Sequence, residues 1–180
     1  MDLSGVLKAK VCLVGEMAVG KSSLIRRFVQ HAYDGKYVST LGVSITRKAL
    51  DVPDARGGPT VAFELMLWDV MGRRGVHDSY LHAASGVLAV CDLTRPETLE
   101  ALPGWIEDSR REAGTAPAVI AANKADLTAD VRLSAADVTR IAEPMGAEWL
   151  PTSAKTGENV EEIFRRLATQ IVLRTRDHSA

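Results

Sequence analysis

Apolar residues along this chain cluster in short runs that alternate with longer segments of helical spacing. The runs AKVCLVG (9–15), VSITRKALDV (43–52), TVAFELMLWD (60–69), GVLAVCDL (86–93), APAVIAAN (116–123) and AEWLPTS (147–153) predict six strands. Helices are expected at about 20–31, 75–83, 96–112, 134–143 and 158–173. Such βα alternation predicts an α/β fold with a largely parallel sheet covered on both faces. Between the second and third runs lies PDARGGP, whose Pro, Asp and Gly content marks a hairpin, so that pair is expected to be antiparallel. Thr94 with Glu97, and Ser134 with Asp137, have the spacing of helix-start caps. No repeat, linker or low-complexity tract interrupts the pattern, and one domain over 1–180 is expected.

Composition narrows the function classes. With 46% hydrophobic and 25% charged residues the chain has the balance of a soluble globular protein. Its 22 basic residues against 23 acidic ones leave a net charge of -1, so no nucleic acid or anionic membrane is expected as the main partner. Cys12 and Cys91 sit inside apolar runs and are expected to be buried thiols of a reducing compartment. MDLSGVLKAK has no long apolar core, and the tail RTRDHSA has no cysteine, so a cytoplasmic protein without a direct lipid anchor is expected.

The candidate chemistry starts where the first strand ends. GEMAVGKS, residues 15–22, fits G-x-x-x-x-G-K-[ST] between a strand and a helix. Gly15 and Gly20 let the backbone turn tightly, so that the amides of Met17, Ala18, Val19, Gly20 and the following Lys21, Ser22 and Ser23 can face phosphate oxygens at a helix N-terminus. Lys21 would place its ammonium between the β- and γ-phosphates, and Ser22 would offer a hydroxyl to Mg²⁺. NKAD, residues 123–126, ends the fifth strand on the same edge of the sheet. Asp126 can accept two hydrogen bonds from guanine N1–H and N2–H₂, whereas adenine would leave the carboxylate unpaired at a cost of about 1–3 kcal/mol. Lys124 can lay its stem on the base, and Asn123 can tie this segment to the phosphate loop. SAK follows the sixth strand: Ser153, Ala154 and Lys155, with the Ala154 amide available to guanine O6.

GEMAVGKS, STLGV, WDVMG, NKAD and TSAKTGENV, in that order, resemble the Ras superfamily of small GTPases, and STLGVSI and TSAKTGENVEEIF resemble its Rab branch. The resemblance runs from about Lys8 to about Leu173. It implies a P-loop NTPase fold with a six-stranded, mostly parallel sheet, one antiparallel strand and about five helices. It implies GTP or GDP with Mg²⁺ as ligand, hydrolysis of GTP, and a molecular switch, expected to be monomeric, read by effectors, exchange factors and GTPase-activating proteins through its switch loops. Thr40 matches the family's Mg²⁺-ligating threonine, Asp69 the aspartate that holds a Mg²⁺-bound water, Gly72 the amide that meets the γ-phosphate, and Tyr33 an aromatic beside guanine.

Two departures bear on turnover and a third on membrane attachment. The family usually continues D-T-A-G-Q, and this chain has Asp69, Val70, Met71, Gly72 and Arg73, so an arginine stands where a glutamine orients water. The chain's two glutamines, Gln30 and Gln170, lie far from that position. Met17 replaces a small residue and would crowd a partner's arginine finger, worth about 10³–10⁵ in rate where it operates. The Rab pattern also carries C-terminal cysteines, which RTRDHSA lacks. Three readings follow: hydrolysis is slow because water positioning is lost; Arg73 or Arg74 acts on the γ-phosphate in cis, with His77 or Glu16 holding the water; or a partner supplies the missing groups. The alternative from another class is a non-catalytic GTP-binding scaffold. An adenine-nucleotide kinase is disfavoured by NKAD and SAK.

Overall fold

The computed structural model describes residues 6–31, 42–54, 57–70, 72 and 78–177. Its sheet is built from β1 (Leu7–Val14), β2 (Val43–Val52), β3 (Val61–Val70), β4 (Gly86–Asp92), β5 (Ala118–Asn123) and β6 (Glu148–Pro151), in the order β2-β3-β1-β4-β5-β6. β2 pairs antiparallel with β3, from Val43 opposite Val70 to Val52 opposite Val61. The remaining pairs are parallel. This is the mixed sheet that the strand runs and the PDARGGP hairpin predict. β3 lies on one side of β1 and β4 on the other, so the connections part at the carboxyl end of β1, the crevice where open α/β sheets take ligands.

β4 and β5 are buried throughout, which is why their sequences are continuous apolar runs. On β1 the two faces feed different cores. Val11 and Leu13 join Phe28 and Phe164 on one side, and Cys12 and Val14 join Trp105, Ile106 and Val138 on the other. α1 (Lys21–Gln30) and α5 (Val160–Asp177) cover the first face, where the Phe28 and Phe164 rings stack with centroids 4.1 Å apart. Burying each such ring contributes about 1.5–3 kcal/mol. α2 (Pro96–Glu100), α3 (Leu102–Ala113) and α4 (Ala135–Ala142) cover the second face. Both cysteines are fully buried free thiols, and burial pushes each up to about 12. Among the described residues no helix is long and apolar enough to cross a membrane.

Three local expectations need correction. The segment expected to be helical over 96–112 is broken at Ala101, because Pro103 has no N–H for the Leu99 carbonyl and instead occupies the first turn of α3. Of the helix expected at 75–83, the described residues form only a 3₁₀ turn, Asp78–Leu81, which ends as Ala84 N–H bonds the Leu81 carbonyl ahead of β4. Residues 75–77 lie outside the described residues. The third concerns Thr94, which does not cap α2. Its N–H and hydroxyl both donate to Asp92 Oδ1, at 2.9 and 2.7 Å, and Pro96 moves the cap position to Arg95. The Ser134–Asp137 capping box is present in full.

Candidate functional site

β1 ends at Val14, and the chain turns through Gly15–Gly20 into α1. The turn needs its glycines. Gly15 has φ +136, and a Cβ there would lie 2.2 Å from the Val90 carbonyl oxygen; Gly20 has φ +105, and its Cβ would lie 2.3 Å from Asn123 Nδ2. Ala18 also takes a positive φ, 62°, a conformation that costs an L-residue about 1–2 kcal/mol.

The loop's carbonyls are held by side chains. Lys21 Nζ donates to the carbonyls of Gly15 and Glu16, at 2.8 and 2.9 Å. An Arg95 guanidinium N–H reaches the Met17 carbonyl at 2.8 Å, and Asn123 Nδ2 the Val19 carbonyl at 2.9 Å. Trp105 Nε1 donates to Glu16 Oε1 at 3.1 Å. Among the described residues, the N–H groups from Met17 to Lys21 have no acceptor. α1 starts at Gly20 without a side-chain cap and has no acid in its first turn. A run of unpaired amides at an uncapped helix N-terminus is an anion cradle. Lys21 is 7% exposed. Burial pushes its ammonium down to about 8 against the pull of the Asp69 and Glu16 charges, and the Arg95 guanidinium adds to the lowering.

Beside this loop, at the ends of β5 and β6, lies a cleft of about 350 Å³ lined by Gly20, Ser23, Asn123, Lys124, Asp126 and Lys155. Asn123 organises it. Its Nδ2 grips the loop after β1 through the Val19 carbonyl, while its Oδ1 accepts from Thr152 Oγ1 at 3.2 Å and from the Ala154 amide at 3.3 Å. The Ala154 N–H therefore faces Asn123 in this arrangement. Asp126 accepts from Ser153 Oγ at 2.7 Å through one carboxylate oxygen. Lys124, at φ 67°, sends its ammonium to Asp92 Oδ2 at 2.5 Å. Burial alone would raise the Asp92 carboxyl, but hydrogen bonds from Lys124 and Thr94 and the Lys124 charge hold it below the usual range.

On the other side of the loop, Ser22 Oγ donates to Asp69 Oδ2. Asp69 is 5% exposed near the end of β3. Gly72 packs on the loop itself: a Cβ there would lie 2.6 Å from Glu16 C and Met17 N. Met17 is half exposed. The structure thus gathers Gly15 to Ser23, Asp69, Gly72, Asn123, Lys124, Asp126, Ser153, Ala154 and Lys155 at one edge of the sheet. Tyr33, Thr40, Met71, Arg73, Arg74 and His77 lie outside the described residues.

Sequence reasoning missed four contributors. Arg95, Asp92 and Trp105 hold the loop after β1 or the segment beside it. Arg27 of α1 holds the segment after β6, donating to the Ala154 carbonyl at 2.7 Å and to that of Lys155. Asp92 alone left a trace in the sequence, as an acid closing an otherwise apolar strand.

Known proteins match this chain closely. A family model described as the Ras family matches residues 10–173. The chain is 34% identical over 171 residues to the Ras-related protein Rab-36 of Homo sapiens, covering 91% of this chain and 62% of that protein. It is 36% identical over 167 residues to the Ras-related protein Rab-4A of Rattus norvegicus, covering 91% of this chain and 74% of that protein. The chain therefore spans less than two thirds of the length of Rab-36.

Proposed function

Because the chain belongs to the Ras family and is Rab-like within it, we propose that it is a GTP- and GDP-binding molecular switch that hydrolyses GTP slowly. One observation carries the reading. An uncapped helix start, with amides that have no acceptor among the described residues and a buried lysine, opens beside a cleft whose wall is Asn123, Lys124 and Asp126. Phosphate and guanine would occupy these adjoining places. Met17, Ala18, Val19, Gly20 and Ser23 would offer backbone amides, and Lys21 its ammonium, to the phosphates. The carboxylate of Asp126, held by Ser153, would take the guanine N1–H and N2–H₂. Ala154, Lys155 and Tyr33 would line the base.

The donor set beside the loop suits Mg²⁺. A hydroxyl and a carboxylate, Ser22 Oγ and Asp69 Oδ2, lie within hydrogen-bond reach of each other, and hard oxygens of this kind are what Mg²⁺ takes. Ser22, Thr40 and, through water, Asp69 would hold it. Bound Mg²⁺ supplies positive charge to the phosphate oxygens. Gly72, packed against the Glu16–Met17 peptide, would offer its amide to the γ-phosphate and sense its loss. Among the groups assigned to turnover, Lys21, Thr40, Gly72 and Arg73, no carboxamide is present to orient water. That is the ground for slow hydrolysis. Exchange factors, GTPase-activating proteins and effectors would read the switch in the cytoplasm.

The test is to purify the protein, identify the nucleotide that comes with it and follow phosphate release over hours with and without Mg²⁺. Bound guanine nucleotide with slow, Mg²⁺-dependent release is expected, and Arg73→Ala should change the single-turnover rate little. ATP displacing GTP would overturn the base assignment. GTP that never decays would leave a non-catalytic scaffold in place of the hydrolase, and a large loss of rate in Arg73→Ala would give Arg73 a role in cis.

A further inference from the structure

We propose that Arg95 is a positioning residue that clamps the phosphate loop by the Met17 carbonyl and couples it, through Asp92, to Lys124 of the base segment; this rests on the nucleotide reading above. The guanidinium spans two partners, the Met17 carbonyl at 2.8 Å and Asp92 Oδ2 at 3.1 Å. The same Oδ2 receives Lys124 Nζ at 2.5 Å. Asp92 is 1% exposed, and its other oxygen is occupied by the Thr94 N–H and hydroxyl. A fixed, buried anion therefore holds two cations, one reaching each half of the site.

The Met17 contact acts on backbone direction. In a planar trans peptide the Met17 carbonyl and the Ala18 N–H point opposite ways. Holding the oxygen at the turn after β4 therefore fixes the direction in which the Ala18 N–H points. Ala18 is the residue whose positive φ suits glycine better than alanine, so this peptide is the one that most needs an external hold. Arginine fits the task because its planar guanidinium donates in two fixed directions at once. A lysine would keep the charge but would carry all its donors on one nitrogen, without the rigid fork whose separate nitrogens reach the two partners here. With its side chain 36% exposed, Arg95 is partly screened by water, so a moderate effect is expected.

The experiment uses the full chain loaded with fluorescent GDP in Mg²⁺ buffer, chased with excess GDP, for wild type, Arg95→Gln and Arg95→Lys. Competition by GDP and by GMP is measured alongside. Arg95→Gln should release GDP about 3- to 10-fold faster, the size of a partly exposed charge-assisted hydrogen bond. Arg95→Lys should also release faster, and both should lose more affinity for GDP than for GMP. Wild-type release from both variants overturns the clamp. So does an Arg95→Lys variant that behaves as wild type, which would reduce Arg95 to a point charge. An equal loss for GMP and GDP overturns it too, because general loosening would then explain the change. Failure of the wild type itself to bind GDP overturns the nucleotide reading instead.

Discussion

The buried ammonium of Lys21 makes a pH-dependent contribution to stability that can be isolated. In the fold its pKa falls from the ordinary 10.5 to about 8, and the largest cause is burial. A lysine with a lowered native pKa binds fewer protons when folded than when unfolded, in the window between those two values. Stability contributed by this group must therefore rise with pH from about 8 to about 10.5. Below pH 8 both states are protonated and the fold carries the full desolvation cost. At about 1.4 kcal/mol per pH unit the gain across the window is on the order of 3 kcal/mol. Because the side chain is 7% exposed, little of this is lost to solvent screening. Lys21→Met removes the titration. It also deprives the Gly15 and Glu16 carbonyls of a donor, a loss that is constant with pH and shifts the curve without tilting it. The assay is urea unfolding of nucleotide-free wild type and Lys21→Met from pH 7 to pH 10.5. The difference in unfolding free energy should move in favour of the wild type as pH rises, and other titrating groups cancel in it. Parallel curves would refute the claim that burial dominates this site. With GDP bound the tilt should shrink, since the phosphates restore the reason to hold the proton.

Further outcomes follow from the loop and the cleft. Gly15→Ala places a Cβ 2.2 Å from the Val90 carbonyl oxygen at φ +136, so a loss of about 2–4 kcal/mol is expected in denaturant unfolding, and a loss under 0.5 kcal/mol would contradict the packing. Asn123→Ala removes a buried side chain that donates to Val19 and accepts from Thr152 and Ala154. About 2–4 kcal/mol of stability should go with it, together with slower binding of GDP; unchanged unfolding would show that the three bonds are not made together. Asp126→Asn keeps an acceptor for Ser153 but loses the charge facing the cleft. GDP affinity should fall by about 10- to 100-fold with the unfolding midpoint preserved, as read by fluorescent-nucleotide titration, and equal affinities would remove Asp126 from base recognition.

The strands and the glycine turn between β1 and α1 were legible in the sequence because their causes are local. A wholly buried strand such as β4 or β5 must be a continuous apolar run, and the turn at Gly15 and Gly20 demands residues that tolerate positive φ. The break at Ala101 is equally local in cause, since Pro103 has no N–H to continue a helix across it. Thr94 misled for a different reason. Its spacing to Glu97 suits a cap, yet the buried carboxylate of Asp92 competes for the same hydroxyl and wins.

Tertiary structure alone decided what grips the loop. Arg95 meets Met17 across 78 positions of chain, Trp105 meets Glu16 across 89, and Arg27 meets Ala154 across 127. Two of these three contacts end on a backbone carbonyl, a group every residue carries, so the acceptor leaves no mark in the sequence. Their donors, an arginine after a strand and another on a helix face, look like ordinary solvated cations until the sheet order brings β1 between β3 and β4 and α1 beside α5. Local spacing could announce the glycine turn after β1, but only the folded sheet could say which side chains from distant elements hold it.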